Sequence, residues 1–127
     1  MTKPTKLVEF AIVYTPETVE FTMPIRLVSE SNARRHWRER HQRALEQRQA
    51  VRMLLLRATR GMPCPTVVRI TRLAPSLLDT DNCWSSAKAV RDEIAALFGV
   101  ADGPKGPIKW EVDQEVSAAV GCKVTML

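Results

Sequence analysis

The sequence predicts an α+β domain, a mixed or antiparallel β-sheet with two helices packed on one face in the order ββαβαββ. Three observations predict it. Apolar and polar residues alternate near both ends of the chain, the pattern switches to a helical period through a long central stretch, and one β-branched run divides that stretch from a second helical one. At 127 residues the chain is expected to be a single domain over 1–127, burying roughly two-thirds of its unfolded surface.

Each element follows from its own pattern. Val8, Phe10, Ile12 and Tyr14 alternate with Glu9, Ala11 and Val13, and Val19, Phe21, Met23 and Ile25 alternate with Glu20, Thr22 and Pro24, so two strands joined through "TPET" are expected. Ala33, Trp37, Ala44, Val51, Leu54, Leu55 and Ala58 then fall on one stripe of a long helix, with Ser31 or Asn32 as N-cap and Gly61 as its stop. "TVVRITRL", Thr66 to Leu73, follows the punctuating "MPCP" and reads as a third strand. Ala87, Val90, Ile94 and Leu97 recur at helical spacing before Gly99, which predicts a second helix from about Cys83 or Ser85 to Phe98. "ADGPKGP" is a loop. Ile108, Trp110 and Val112 alternate, as do Val120, Cys122, Val124 and Met126, so a closing hairpin is expected.

Composition excludes several classes. Hydrophobic residues at 45% and charged residues at 26% are ordinary for a globular chain and give no argument for disorder or fibres. No apolar run reaches the roughly 18 residues of a membrane span, and Glu9 breaks the N-terminal apolar run before it could serve as a signal segment. Cys64, Cys83 and Cys122 are odd in number and lack metal-ligand spacing, so three reduced thiols in the cytoplasm are expected.

The charge is unevenly placed. Between Asn32 and Arg60 stand nine arginines, among them Arg34, Arg35, Arg38, Arg43, Arg48 and Arg52, against Glu39 and Glu46, a local balance of +7 within a total of +5. A solvated helix face normally mixes signs to gain pairs four residues apart. Like charges carried almost wholly by guanidinium, whose planar fork matches phosphate oxygens, favour a grip on a nucleic-acid backbone. His36 and His41 do not share a helical face and are expected to be polar residues without a metal role.

Four of the five aspartates, Asp79, Asp81, Asp92 and Asp102, lie within "LLDTDNCWSSAKAVRDEIAALFGVADG" together with Lys88. "DTDN" before a helix has a local explanation as an N-cap beside the positive end of the helix dipole. It has a second as part of a metal site: an extended backbone would aim Asp79 and Asp81 the same way, and a helix starting at about Asn82 would line Asp81, Lys88 and Asp92 along one side. Carboxylates about 4 Å apart repel by roughly 4 kcal/mol at an effective dielectric of 20, which a cation between them would offset. Oxygen ligands without His or Cys favour Mg²⁺, with Mn²⁺ as a substitute. Such an ion beside phosphate activates a water for in-line attack, and Lys88 could neutralise charge growing on the phosphoryl oxygens. Trp84 is expected to anchor packing.

These residues in this order resemble the RusA-type Holliday junction resolvases, small metal-dependent endonucleases of bacteria and their phages. The resemblance rests on "DTDN" (Asp79 to Asn82), on "KAVRD" (Lys88 to Asp92), on "GVADG" with Asp102, and on "MPIRLVSESNARRHW" ahead of the first helix, and it spans about residues 20 to 126. It implies that Asp79, Asp81 and Asp102 bind the catalytic metal, that Lys88 assists the reaction, and that Asp92 and Asn82 support the site from behind. The implied activity is paired cleavage of a four-way DNA junction by a homodimer in recombination and repair, the two-fold substrate suiting a two-fold enzyme. The chain departs from the pattern in its longer "CWSSA" before Lys88 and in having Ala101 where an acidic pair is usual. The alternative is a DNA- or junction-binding protein without turnover, a prophage relic with an altered site.

Overall fold

The computed structural model describes residues 6–27 and 37–127, apart from the side chains of 37–41, 43, 44 and 47. Among the described residues five strands and three helices follow one another as β1 (Ala11–Tyr14), β2 (Val19–Met23), α1 (Trp37–Ala58), β3 (Val67–Ala74), α2 (Thr80–Ser86), α3 (Lys88–Phe98), β4 (Lys109–Val116) and β5 (Gly121–Met126). The α+β class and the mixed sheet are as the sequence predicts. The strand order is β1-β2-β5-β3-β4, with β3 and β4 parallel and the other neighbours antiparallel.

Register sorts the side chains by face. Phe21, Val124, Ile70 and Val112 form one row across β2, β5, β3 and β4, and Val19, Met126, Val68 and Trp110 form the next. These rows pack on Val51, Leu55 and Ala58 of α1 and on Val90 and Ile94 of α3, one continuous core. The alternate rows, Glu20-Thr125-Arg69-Glu111 and Thr22-Lys123-Thr71-Asp113, carry the polar face. There Arg69 bonds Glu111 at 3.3 Å, Lys123 bonds Glu115 at 3.1 Å, and the Thr125 hydroxyl donates to Glu20 at 3.1 Å. The helical stripes expected from Val51, Leu55 and Ala58 and from Ala87, Val90 and Ile94 are buried. Gly61 and Gly99 take the positive φ of helix-ending residues, +73° and +66°. The proposed caps Ser31 and Asn32, the stripe residue Ala33, and His36 lie outside the described residues.

Two expectations are corrected. The last two strands form no hairpin: β3 lies between them, and 117–120 step across its end, where Ser117 N–H donates to the Ala74 carbonyl at 2.9 Å. Alternation marks a strand without naming its partner. The helices after β3 return the chain beside it in parallel, and β5 takes the remaining side. Stepping over one strand needs about 10 Å, within the roughly 13 Å reach of four residues.

The second helix, expected as one piece, is two. Ala87, with φ −91° and ψ 0°, separates α2 from α3. The cause lies in "CWSSA". The Ser86 hydroxyl donates to the Cys83 carbonyl at 2.7 Å and the Ser85 hydroxyl to the Asn82 carbonyl at 3.2 Å, local bonds that compete with the helical ladder. Helix α3 then closes cleanly at Gly99, with Val100 N–H bonded to the Ala95 carbonyl at 2.9 Å and Gly99 N–H to the Ala96 carbonyl at 3.2 Å.

Candidate functional site

The turn between β3 and α2 is built by two side chains that the core rows supply. Arg72 of β3 and Gln114 of β4 are register partners at the end of the row Met23-Cys122-Arg72-Gln114. Arg72 Nη1 donates to the Ser76 carbonyl at 2.7 Å. Gln114 Oε1 accepts from the Leu78 N–H at 2.9 Å while its Nε2 donates to the Leu78 carbonyl at 2.6 Å. The backbone is thereby held on both sides of Leu77, immediately before Asp79.

Asp79 is the N-cap of α2. Its backbone is extended at φ −66° and ψ 166°, its Oδ1 accepts from the Asn82 N–H at 2.9 Å, and its Oδ2 accepts from Asn82 Nδ2 at 2.9 Å. Asp81 already lies in the first turn of α2, exposed, and among the described residues it has no hydrogen-bond or ion-pair partner. The expectation of two carboxylates on one extended strand is therefore overturned, because the helix starts at Thr80 and not at Asn82.

The second group stands on α3 and the loop after it. Lys88 Nζ meets Asp92 Oδ2 at 3.0 Å, one turn along the helix. The chain after Gly99 folds back so that Asp102 contacts Asp92, and the Asp102 carboxyl is held below its ordinary 3.8, first by the hydrogen bond with Asp92 and further by Arg91 and Lys88, with burial opposing. The fold-back depends on Gly106, where an added Cβ would collide with the Ala101 carbonyl. Arg91 also lies over the Trp84 ring, 4.5 Å from its centroid. Trp84, expected to anchor packing, is 43% exposed.

The donor chemistry of Asp79, Asp81 and Asp102 suits a hard cation, but the three do not form one ligand cluster. Among the described residues no group of three His, Cys, Asp or Glu side chains is placed to hold a metal ion. Asp81, Lys88 and Asp92, expected along one side of a single helix, stand on two. The break at Ala87 puts Asp81 on a different helix from the other two. Lys88, Asp92 and Asp102 are brought together, while Asp79 and Asn82 bond each other.

The arginine tract divides. Arg34 and Arg35 lie outside the described residues, as do the side chains of Arg38 and Arg43. Arg48 Nε and Arg52 Nε both turn to Glu93 of α3, at 2.8 Å to Oε1 and 3.1 Å to Oε2, and Glu93 is only 2% exposed. Arg57 lies over the Phe10 ring at 5.3 Å. Sequence reasoning overlooked Glu93, Gln114, Arg72 and Arg91. Glu93 alone left a signal: three residues after Val90 and adjacent to Ile94, it sits within an apolar stripe, where an acid needs a partner.

The cysteines are free thiols, Cys64 exposed and Cys83 and Cys122 buried. Burial raises the Cys83 thiol and pushes that of Cys122 up to about 12, so both are protonated at neutral pH and unsuited to nucleophilic work. Among the described residues no helix is long and apolar enough to cross a membrane. The chain matches no protein-family model and no curated protein.

Proposed function

We propose that the chain is a RusA-type endonuclease that cuts the phosphodiester backbone of branched DNA, acting as a homodimer on a four-way junction with Mg²⁺ or Mn²⁺ as its ion. The observation that carries the reading is the group of Lys88, Asp92 and Asp102. A lysine stands against one of two touching carboxylates on α3 and its following loop, one helix beyond the Asp79 cap, in a chain whose surplus charge is arginine. Side chains of this kind have separable tasks. Lys88, two-thirds exposed, can meet negative charge developing on phosphoryl oxygens. Asp79 can still accept further contacts, since a carboxylate offers about four lone-pair sites and two are used by Asn82.

A second reading is favoured by a specific observation: Asp79, Asp81 and Asp102 do not converge on one ion position. On that reading the chain binds DNA or its junctions and does not turn them over.

One experiment separates the two. A labelled four-way junction is incubated with the protein and Mg²⁺ at a concentration where binding is complete. Symmetric nicks that Asp81→Asn abolishes support the endonuclease. Binding without cleavage supports the second reading, and cleavage by Asp81→Asn equal to wild type removes Asp81 from the site.

A further inference from the structure

Glu93 is an acid in the wrong place for a surface residue and in the right place to organise two cations. Its carboxylate is 2% exposed at the α1–α3 contact, and each oxygen takes a different guanidinium, Oε1 that of Arg48 and Oε2 that of Arg52. A bare carboxylate there would be costly, so one arginine is explained as its counter-ion. The second is not. One acid and two cations leave a net charge of +1, held by residues four apart on the same helix, where like charges repel.

The geometry also says which atoms remain available. Each guanidinium carries five N–H donors and gives Glu93 the one on Nε. The side chains of Arg48 and Arg52 are 44% and 63% exposed, and neither has another hydrogen bond among the described residues. Beside them a notch of about 170 Å³ opens between the helices, lined by Arg52, Leu55, Leu56, Glu93, Ala96 and Leu97. Ala96 is small and exposed at its rim.

We propose that Arg48 and Arg52 form a two-pronged grip for one phosphodiester group of a DNA backbone, and that Glu93 is the positioning residue that sets the grip. Anchoring both forks by Nε removes much of the rotamer freedom that a long side chain otherwise loses on binding. The terminal nitrogens then present parallel donors to the phosphate oxygens. The anion also offsets the repulsion between the two arginines. The proposal rests on the nucleic-acid part of the proposed function and not on cleavage.

The test is DNA binding in EDTA, read by fluorescence anisotropy with a four-way junction between 50 and 200 mM salt, for wild type, Glu93→Gln and the double variant Arg48→Lys/Arg52→Lys. Glu93→Gln removes a negative charge from a surface that binds an anion, so a residue acting only through its charge would tighten binding. The grip predicts the opposite sign, a weakening of about tenfold with the salt slope reduced by about 0.9, the value of one phosphate contact. The double lysine variant keeps every charge and loses the forks. It is expected to weaken binding by a similar factor at an unchanged slope. Binding by folded Glu93→Gln as tight as wild type overturns the proposal; if that variant fails to fold, unchanged affinity of the lysine variant does so. Wild-type protein that binds no DNA at 50 mM salt overturns both the grip and the proposed function, whereas binding that the variants leave intact overturns the grip alone.

Discussion

The carboxamide of Gln114 closes a ring with the backbone of Leu78, accepting from its N–H at 2.9 Å and donating to its carbonyl at 2.6 Å. A strand residue thus does for the turn what a neighbouring strand does for an edge, by matching a donor and an acceptor to the backbone of one residue. Gln114→Leu removes both bonds and is expected to cost about 1–3 kcal/mol. In hydrogen exchange the Leu78 amide should open faster while the β3 amides keep their protection. A Leu78 amide that exchanges at the wild-type rate in this variant would show that the turn holds itself.

Asp79 has a structural task that must be separated from any catalytic one. Asp79→Ala loses the cap of α2 and is expected to cost about 0.5–2 kcal/mol, whereas Asp79→Asn keeps an acceptor for the Asn82 N–H and should melt close to wild type. Under the endonuclease reading both variants lose junction cleavage. If Asp79→Asn keeps both its melting temperature and its cleavage, Asp79 is a cap and nothing more.

Asp102 should titrate below the ordinary 3.8, because Asp92, Arg91 and Lys88 favour its charged form. A group whose folded value is depressed contributes stability above its unfolded value and loses it as pH falls through the folded one. The contribution is therefore constant from neutral pH down to about 3.8 and declines below it. Carboxyl-carbon NMR titration reads the midpoint directly. It should lie below 3.8 in wild type and move upward in Lys88→Met. A wild-type midpoint at or above the ordinary value would break the assignment of this cluster.

Glu93 keeps a counter-ion when either arginine is lost. Arg48→Ala and Arg52→Ala are each expected to cost about 1 kcal/mol or less, since both side chains are well exposed and screened. Together they leave a carboxylate of 2% exposure without a partner, and the cost should rise to about 3 kcal/mol. Chemical denaturation of the two single variants and the double variant measures the excess. Simple additivity would mean that the Glu93 carboxylate finds water in the folded protein.

Most of the fold was legible because it rests on periodicity. Ile70 and Val124 alternate with polar neighbours, Val51 and Leu55 recur on a helical stripe, and Gly61 and Gly99 end their helices at positive φ. The break at Ala87 was not legible, although its cause, two adjacent serines, stood in plain view. Apolar spacing from Ala87 onward predicts the helix correctly but is blind to hydroxyls that bond backward one turn earlier. That single irregularity put Asp81 on a different helix from Lys88 and Asp92.

The sequence by itself determined the α+β class, the core stripes, the concentration of arginine on the first helix and the acidic character of the segment from Asp79 to Asp102, because each is a local pattern of residue types. Tertiary structure alone decided which residues meet. It set β3 between β4 and β5, gave Leu78 to Gln114 across 36 residues and Glu93 to two arginines more than 40 residues away, and folded Asp102 back onto Asp92. Such pairings depend on strand order and on the phase of one helix against another. These follow from burying the whole apolar surface at once, and no local window of the chain contains that information.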